Sequence, residues 1–470
     1  MAAPAKKRVV VVGAGAFGLS TALYLQRYHQ HNVDVLLLDS QPFPSVDSAS
    51  GNDTSRAIRP DYADPFYAAL AQEAIQAWRT DPVFSGHYRE SGRVTAAPPG
   101  SPFAQKCRNV LKEIGVEVEE FGGEGKVSNL HKRFPLLGND KKLDGWDFYL
   151  NPNAGWGNPR EAVISAMKEF QSLGGKFIGD SQRGLVIENI LEAQGGASQV
   201  IGVKTASGNS HYADQVIYTP GAFSTTNEKL LPGLDTQIHP TGFAIAHWKL
   251  DDPEELKTWL QYPVVDMYHH GYFFPPDPST GLMKLGLGIV GFTHDPEAEE
   301  DRGNVGIALP NSSLVGTPNA ARIPALAEDG IRHVLSLWAP SLAQKKFFDM
   351  KMCWDAMTPD GGWLIDHHPE IKGLSVATGG SGHGFKFLPV VGQYICEALD
   401  IAEPGTPSAL APKTSDQVKQ MRHKWRWGRE ANLNVKDRRV VLQGRPILDI
   451  THHLQSDAPK SIDRWTRSKL

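Results

Sequence analysis

The chain has little cysteine, little net charge and no long apolar run, and each shortage excludes a class of protein. Its three cysteines, Cys107, Cys353 and Cys396, have spacings that fit neither a zinc site nor a disulfide framework. No stretch of about 18 consecutive apolar residues occurs, so we expect no membrane-spanning helix. A formal net charge of −4 gives no sign of nucleic-acid binding. A reducing, intracellular setting is the simplest interpretation of this composition.

The two ends of the chain differ in what they indicate. Residues 1–8 contain two lysines but no separate apolar region or cleavage site, so they do not resemble a signal peptide. The tripeptide Ser468-Lys469-Leu470 matches the peroxisomal import signal. We therefore expect a peroxisomal location, with the peroxisomal import receptor as a partner that binds Ser468–Leu470.

A chain of 470 residues is too long for one core, which favours two domains. Residues 8–12 form a short β-branched run typical of a buried parallel strand, and Gly13-Ala-Gly-Ala-Phe-Gly18 follows it. The pattern then predicts a helix over residues 19–28 and a strand over residues 33–38 that ends at Asp39. This arrangement predicts a βαβ unit.

Further elements are predicted along the rest of the chain. We expect helices over residues 65–79, 160–172, 318–338 and 391–399, and strands over residues 186–190, 200–205, 215–219 and 374–378. A second glycine-rich turn between strand and helix, at residues 379–384, indicates that the chain returns late to its nucleotide domain. Residues 402–416 have the composition of a linker.

The glycine motif at residues 13, 15 and 18 predicts a dinucleotide site. Gly13 permits a tight turn, Gly15 allows the backbone to approach a pyrophosphate, and Gly18 lets helix and strand pack closely. The helix N-terminus supplies N–H groups for phosphates. Asp39, at the end of the second strand, is positioned to accept hydrogen bonds from ribose hydroxyls. The motif does not distinguish NAD from FAD.

Four stretches together resemble the FAD-dependent amine oxidase family that contains monomeric sarcosine oxidase and fructosyl amino acid oxidase (amadoriase). They are residues 9–18 with Asp39, Gly51-Asn-Asp-Thr-Ser-Arg-Ala-Ile-Arg59, residues 352–369, and Gly380-Ser-Gly-His-Gly-Phe-Lys-Phe387. The resemblance implies an α/β fold in which a Rossmann-type, glutathione-reductase-like FAD domain is interleaved with an α+β antiparallel-sheet substrate domain. The expected FAD domain is residues 1–85, 150–225 and 351–410, the substrate domain is residues 86–149 and 226–350, and residues 411–470 form a C-terminal extension.

The resemblance also implies how FAD is held. A cysteine in the position of Cys353 is bonded through sulfur to the 8α carbon of the flavin in this family, whereas from the residues alone Cys353 is equally well a core cysteine. Cys107 and Cys396 lack such a context and are interpreted as structural. The predicted cofactor contacts are Gly13, Gly15, Phe17, Gly18, Asp39, Ser40, Ser50, Asn52, Thr54, Arg56, Cys353, Gly382, His383, Gly384 and Lys386. His383 is also compatible with simple packing in the core.

Four residues are predicted to act on the substrate or on O₂. By resemblance, Arg59 and Lys386 clamp a substrate carboxylate, and Lys284 stands above the flavin and promotes its reaction with O₂. Taken alone, two arginines in a polar loop are more often solvated, and Lys284 is compatible with an outward-facing strand position. Tyr272 is a candidate for the aromatic group beside the substrate amine. Position 288, where family members carry a functional His or Glu, is glycine here.

These features predict a flavin-dependent oxidase that converts the C–N bond of a secondary-amine amino acid (N-alkyl, N-methyl or cyclic) to an imine and reduces O₂ to H₂O₂. The missing glutamate at position 288 argues against fructosyl amino acids, although a fructosyl amino acid oxidase remains the alternative within the class. A non-catalytic FAD-binding protein is the alternative from another class. We expect a monomer whose partners are a small-molecule amine and O₂.

Overall fold

The computed structural model describes residues 5–44, 50–121, 126–138, 141–194, 197–225, 228–293, 323–401, 411–429 and 447–449. Within these ranges the α-helices are α1 (Ala16–Tyr28), α2 (Pro65–Thr80), α3 (Phe103–Glu113), α4 (Lys126–Arg133), α5 (Pro159–Ser172), α6 (Pro253–Trp259), α7 (Ala325–Trp338), α8 (Val391–Ala398) and α9 (Ser415–Trp425). None of the described helices is long and apolar enough to cross a membrane.

The strands of the first half are β1 (Lys7–Val12), β2 (Val33–Asp39), β3 (Arg56–Ile58), β4 (Tyr88–Arg89), β5 (Arg93–Ala97), β6 (Glu119–Glu120), β7 (Asp147–Asn151), β8 (Gly155–Gly157), β9 (Lys176–Gly179), β10 (Val186–Gln194), β11 (Ala197–Thr205), β12 (Ser210–Tyr212) and β13 (Gln215–Tyr218). Those of the second half are β14 (His239–Lys249), β15 (Val264–Met267), β16 (Gly271–Phe273), β17 (Leu282–Leu287), β18 (Gly291–Thr293), β19 (Asp349–Met357), β20 (Leu364–His367), β21 (Ile371–Lys372), β22 (Leu374–Thr378) and β23 (Ile447–Asp449).

The first large sheet has six strands in the order β20-β22-β13-β1-β2-β9. All its neighbours pair in parallel except β20, which runs antiparallel to β22. Its central strands come from chain segments some 200 and 370 residues apart, so the chain does return late to this sheet, as predicted. Strand β1 is buried on both faces, because Val9 and Val11 pack in the core that contains helix α1 and Val10 packs with residues of strands β10 and β11. This double burial explains its unbroken valine run.

The turn from β1 to α1 depends on two glycines. Gly13 has a φ of 109°, which side-chain-bearing residues rarely adopt. A Cβ on Gly18 would lie 1.9 Å from the carbonyl oxygen of Gly13 and 2.4 Å from Thr219 Oγ1. The predicted close packing of helix and strand is therefore present at Gly18, and any side chain there would push α1 away from the sheet.

The second large sheet has ten strands and is mainly antiparallel. It follows the order β23-β18-β14-β17-β16-β15-β5-β7-β6, and β19 also pairs with β14. A separate apolar core covers one face and includes Trp248, Trp338 and Phe273. Smaller sheets are β3-β8-β4 and a meander of β10, β11 and β12 with β21 added to β11. The mixed α/β architecture confirms the predicted fold class.

Some predicted element boundaries differ from the observed ones. Helix α1 begins at Ala16 rather than residue 19, because the helix starts directly after Gly15. Helix α7 begins at Ala325, after Pro324, and residues 318–322 lie outside the described part of the chain. The predicted linker over 402–416 is wrong at its end, since Thr414 caps α9 and makes residues 415 and 416 helical.

The predicted domain boundaries stay a prediction, and one segment bears on them directly. Residues 351–357 of β19 belong to the segment 351–410 that we assign to the FAD domain, yet the strand pairs along its whole length with β14 of the ten-stranded sheet. This pairing places Cys353 opposite Phe243, and both residues line the cavity described below.

Candidate active site

A cavity of about 1590 Å³ extends between the two large sheets. Typical small-molecule sites are roughly 300–1,000 Å³, so this cavity has room for a large cofactor together with a substrate. Its walls include residues 13–17 of the glycine turn, Asp39, Arg56, Cys353 and Lys386. One continuous space thus joins the predicted phosphate, flavin and substrate positions.

The glycine end of the cavity fits a pyrophosphate. Gly15 is the N-cap of α1 and no side chain caps this helix, so its first N–H groups are available to a ligand. A Cβ built on Gly15 meets no atom within 4 Å, which shows open space in front of the helix. Asp39 accepts hydrogen bonds from Ala14 N (2.7 Å) and Gln41 N (2.9 Å), and burial raises its pKa. The carboxylate is therefore held rigidly at the cavity wall.

Cys353 and Arg56 meet in the middle of the cavity. Arg56 Nη2 donates to Cys353 Sγ at 3.0 Å, and Arg56 Nε donates to Ser50 O at 3.0 Å. Although burial alone would lower it, the pKa of Arg56 is raised by Cys353 and by Asp53, whose Oδ2 lies 3.1 Å from Arg56 Nη1. A permanent cation is therefore in direct contact with the sulfur of Cys353.

A buried ionic network lies behind Arg56. Lys284 Nζ is 2.5 Å from Asp53 Oδ2 and donates to Ser55 O at 2.6 Å. His247 Nε2 lies 3.2 Å from Asp53 Oδ1, and its other ring nitrogen lies 3.1 Å from Asp349 Oδ2. Burial, together with the nearby Arg56 charge, lowers the pKa of Lys284 to about 8. The network therefore runs from the cavity wall at Arg56 to the partly exposed Asp349.

The far end of the cavity is lined by two cations. Lys386 is 3% exposed, and its Nζ donates to Tyr62 OH and to His383 O, each at 2.8 Å. Burial, followed by repulsion from Arg59, lowers the pKa of Lys386 well below its ordinary value. The Arg59 guanidinium lies 4.7 Å from the centre of the Tyr62 ring and donates to the backbone oxygen of Asp61. Within the described residues, neither Lys386 nor Arg59 has a carboxylate at ion-pair distance.

Arg93 and two carboxylates form the floor beneath these cations. Arg93 Nη1 lies 3.0 Å from Asp61 Oδ1, and Nη2 lies 2.8 Å from Asp266 Oδ2. Asp61 is fully buried and also accepts from Tyr149 OH (2.8 Å) and Asn151 Nδ2 (3.0 Å). Because these partners saturate Asp61, its charge is committed to Arg93 and to the hydrogen bonds that orient it.

His383 connects the second glycine turn with Tyr62. Its Nδ1 lies 2.9 Å from Tyr62 OH and its Nε2 lies 2.8 Å from Gly361 O. Burial and the adjacent Lys386 lower the pKa of His383 to about 3. His383 is therefore a neutral imidazole that also packs edge-on against Tyr67, so it lines the cavity and packs in the core at once.

Tyr272 stands on β16 at the cavity wall. It lies opposite Gly286 of β17, where a Cβ would come within 2.6 Å of its ring, so glycine leaves room for the ring. Burial raises the pKa of Tyr272 to about 12, which keeps the phenol protonated. Lys284 Nζ is 5.8 Å from the ring centre.

Gly288 has a structural reason to be glycine. It lines the cavity and its N–H donates to His270 O at 2.9 Å. A Cβ at this position would lie 2.9 Å from the backbone nitrogen of Gly271. Since backbone atoms cannot move aside like a flexible side chain, this site has no room for the glutamate or histidine expected from the family resemblance.

Most predicted site residues meet at the cavity. Those that line it are Gly13, Gly15, Phe17, Asp39, Ser40, Ser50, Arg56, Arg59, Tyr272, Cys353, Gly382, His383, Gly384 and Lys386. Gly18, Asn52, Thr54 and Lys284 do not line it. Gly18 acts through packing, Asn52 Oδ1 accepts from Arg160 Nη1 at 2.6 Å, and Thr54 N donates to Asp53 Oδ1 at 2.8 Å. Lys284 does not line the cavity because its ammonium binds the buried carboxylate of Asp53, and its predicted position above the flavin stays a prediction.

The sequence interpretation missed several residues of the site. Asp53 lies in the loop between Gly51 and Arg59. A carboxylate in the same short segment as Arg56 and Arg59 could have indicated a buried ion pair. Arg93, Asp266 and the residues of α9 carried no such signal. They reach the site through strand pairing and helix packing between distant segments.

Comparison with known proteins defines the class. Residues 8–398 match the family described as FAD dependent oxidoreductase, and the chain belongs to that family. The chain is similar to L-saccharopine oxidase of Schizosaccharomyces pombe, at 29% identity over 434 residues that cover 90% of this chain and 93% of that protein. It is also similar to peroxisomal sarcosine oxidase of Homo sapiens, at 27% identity over 406 residues that cover 83% and 90%.

A solved structure supports the same assignment. The fructosyl amine:oxygen oxidoreductase amadoriase I of Aspergillus fumigatus superposes with a TM-score of 0.76 at 27% identity and covers 95% of this chain and 96% of that one. The predicted family and enzyme class are thereby confirmed: the protein is an FAD-dependent oxidoreductase with sarcosine oxidase and amadoriase relatives.

Proposed function

We propose that this protein oxidises the C–N bond of a secondary-amine amino acid to an imine and passes the electrons to O₂, which yields H₂O₂. The observation that carries the proposal is the pair of cations at the end of the cavity. Lys386 and Arg59 face it without a carboxylate partner among the described residues, and two such cations need an anion. A substrate carboxylate supplies that anion.

FAD, when bound, supplies the acceptor for the two electrons removed from the substrate. The N-terminus of α1 with Gly13 and Gly15 would hold its pyrophosphate, and Asp39 its ribose. Cys353 would hold the ring through its sulfur, as the family resemblance implies. The 3.0 Å contact from Arg56 to Cys353 Sγ supports this attachment, because it fixes the position of the sulfur at the cavity wall.

The other side chains orient the substrate. The substrate carboxylate would lie between Lys386 and Arg59, and its amine would lie in the part of the cavity that Tyr272 and Arg56 line. The positive charges of Arg56 and Lys284 disfavour an ammonium at that place, so the site selects the neutral amine that the oxidation requires. Lys284 contributes a fixed positive charge behind the wall, where it would favour electron transfer to O₂.

Two observations favour a secondary-amine amino acid without a sugar substituent over a fructosyl amino acid, whose amine is also secondary. Gly288 has no space for the glutamate that the family resemblance associates with the sugar. The L-saccharopine oxidase and sarcosine oxidases among the relatives have names that indicate amino acids with a secondary amine. The fructosyl amine oxidase stays the second candidate because its structure superposes over nearly the whole chain.

The test is a substrate panel with the purified holoprotein in the absence of O₂, read by loss of the visible absorption of the oxidised flavin. We expect N-alkyl and cyclic amino acids to bleach the protein, and fructosyl-valine to leave it yellow. Bleaching by fructosyl-valine alone would overturn the proposed substrate. A protein that no amine bleaches would instead be a non-catalytic FAD-binding protein.

We also propose a peroxisomal location, which suits a protein that produces peroxide. It rests on the tripeptide Ser468-Lys469-Leu470, which lies outside the described residues, and on the peroxisomal sarcosine oxidases among the relatives. Fluorescence microscopy of the tagged chain with and without the tripeptide tests it. The monomeric state stays a prediction that sedimentation of the holoprotein would check.

A further inference from the structure

The C-terminal helix α9 and the turn after it form one wall of the cavity entrance. Trp425, at the end of α9, is fully buried, donates to Tyr67 OH at 3.1 Å and stacks on Trp363 with ring centres 5.1 Å apart. Arg429, four residues on, is held by Asp360 at 2.7 Å and by Trp363 O at 2.8 Å. These anchors fix the segment between them in place.

Three basic side chains of this segment line the cavity, and we call them the rim cluster: His423, Lys424 and Arg426. His423 is exposed, while Lys424 and Arg426 are half-buried. Lys424 Nζ pairs with Asp64 Oδ2 at 2.5 Å. Arg426 donates to the backbone oxygen of His423, and no carboxylate in the described part of the chain lies at ion-pair distance from it. Its guanidinium thus remains able to bind an anion.

An aromatic wall separates the rim cluster from Lys386. Lys386 Nζ lies 5.1 Å from the centre of the Tyr62 ring, which stacks on Tyr67 at 5.6 Å between centres. Lys424 Nζ lies 5.8 Å from the centre of the Tyr67 ring. The cavity therefore has cations at both ends of one apolar surface. This geometry suits a ligand with an anion at each end and an aliphatic middle.

We propose that the rim cluster, through Arg426, binds a second carboxylate of the substrate, distant from the one held by Arg59 and Lys386. The substrate class is then a secondary-amine amino acid whose N-substituent or side chain ends in a carboxylate. This inference rests on the proposed function, which it deepens. A planar guanidinium binds carboxylate with two parallel hydrogen bonds, which an ammonium cannot do. Because the rim is open to solvent, the contribution is modest and weakens with salt.

Binding without turnover tests the proposal. The probes are linear monocarboxylates and the α,ω-dicarboxylates of matched chain length, titrated into the oxidised holoprotein and followed by the perturbation of its visible absorption. At the chain length that spans the aromatic wall, we expect the dicarboxylate to bind about tenfold more tightly than its monocarboxylate partner, as one charge-assisted contact gives. Added salt reduces this preference.

Variants in α9 and in the turn after it test whether Arg426 causes the preference for dicarboxylates. Arg426→Gln abolishes the preference for dicarboxylates and leaves monocarboxylate affinity unchanged, while Arg426→Lys keeps part of it. Lys419→Gln, which removes one charge from an exposed position of the same helix, is the matched control and retains the preference. Equal thermal unfolding temperatures of the variants verify that the wall is intact.

The outcomes separate the two proposals. Absence of a dicarboxylate preference at every chain length, or its loss in Lys419→Gln as much as in Arg426→Gln, overturns the rim cluster as a subsite. If the preference depends on Arg426 but no secondary amine bleaches the flavin, the subsite stands and the proposed reaction fails. If secondary amines are oxidised without any preference, the reaction stands and the subsite fails.

Discussion

The ammonium of Lys284 lies 2.5 Å from a carboxylate oxygen of Asp53, and neither side chain is more than 1% exposed. Burial alone would raise the pKa of Asp53, but the charges of Lys284 and Arg56 lower it well below its usual value. The carboxylate therefore stays ionised and holds Arg56 at the cavity wall and Lys284 behind it. Their positions near Cys353 depend on this one buried acid.

The first prediction concerns Asp53→Asn. Removing the carboxylate leaves Lys284 and Arg56 uncompensated in the core, so we expect the free energy of unfolding to fall by about 3–5 kcal/mol. Denaturant unfolding of the holoprotein measures it. Asp349→Asn is the control, since that carboxylate is partly exposed and lies at the outer end of the network; its loss costs about 1 kcal/mol or less. Equal losses of unfolding free energy in both variants would contradict the role of Asp53 as the acid that compensates Lys284 and Arg56.

The same substitution has a defined pH dependence. The pKa of Asp53 is lower in the folded than in the unfolded protein, so its contribution is present above the unfolded value near 4 and is lost as pH falls through the folded pKa. The wild-type protein should lose this stability in acid, and Asp53→Asn should show a flatter acid limb. Identical slopes for the two proteins would exclude a contribution from Asp53.

The second prediction concerns Lys284→Met. If the buried ammonium promotes the reaction with O₂, its loss should slow the reaction of the reduced protein with O₂ by about 100-fold or more, and substrate oxidation much less. Stopped-flow measurement of the two half-reactions separates them. Because burial lowers the pKa of Lys284 to about 8, the wild-type O₂ reaction should slow as pH rises through about 8, while the variant shows no such step. Equal slowing of both half-reactions would remove the assigned role.

The third prediction concerns the bond to FAD. Acid-precipitated wild-type protein should stay yellow. Cys353→Ser should release its flavin into the supernatant, because serine lacks the sulfur through which the flavin would be bonded. Cys107→Ser is the control: its thiol is fully buried in a separate cluster, and burial raises its pKa to about 12. A colourless wild-type pellet would disprove the covalent link.

The fourth prediction couples carboxylate binding to a proton. In the free protein, burial and Arg59 lower the pKa of Lys386, and a bound carboxylate raises it again. Binding therefore takes up protons over the pH range in which Lys386 titrates, and affinity falls as pH rises through that range. Calorimetric titration in buffers of different ionisation enthalpy measures the uptake. Lys386→Met should weaken binding by roughly tenfold or more and abolish the uptake; persistent uptake would place the titrating group elsewhere.

The fifth prediction concerns Gly288→Glu. Its Cβ would meet the backbone of β16 at 2.9 Å, so we expect a loss of about 1–3 kcal/mol of stability and no gain of activity on fructosyl-valine. Gly86→Ala is the control, since a Cβ there meets no atom within 4 Å. A stable variant that oxidises fructosyl-valine would show that the strand adjusts easily and that this position alone decides the substrate.

Local sequence was sufficient for the parts of the protein whose chemistry is contained in a short segment. The run from β1 through Gly13 and Gly18 to Asp39 predicted the dinucleotide turn, because strand, glycine spacing and acidic end all lie within one βαβ unit. The wider resemblance predicted the family and the α/β fold, which the comparisons confirm.

The parts that the sequence did not reveal depend on pairing between distant segments. Lys284 was predicted to stand above the flavin, but its buried partner was not predicted, because the fold brings Asp53 from 231 residues away to bind its ammonium. Arg93 and Asp266 become a floor for Lys386 only because β5 pairs with β15. The basic residues of α9 reach the cavity because Trp425 packs on Trp363. Such contacts decide burial and charge, and no local pattern encodes them, because each depends on which strand or helix lies next to another.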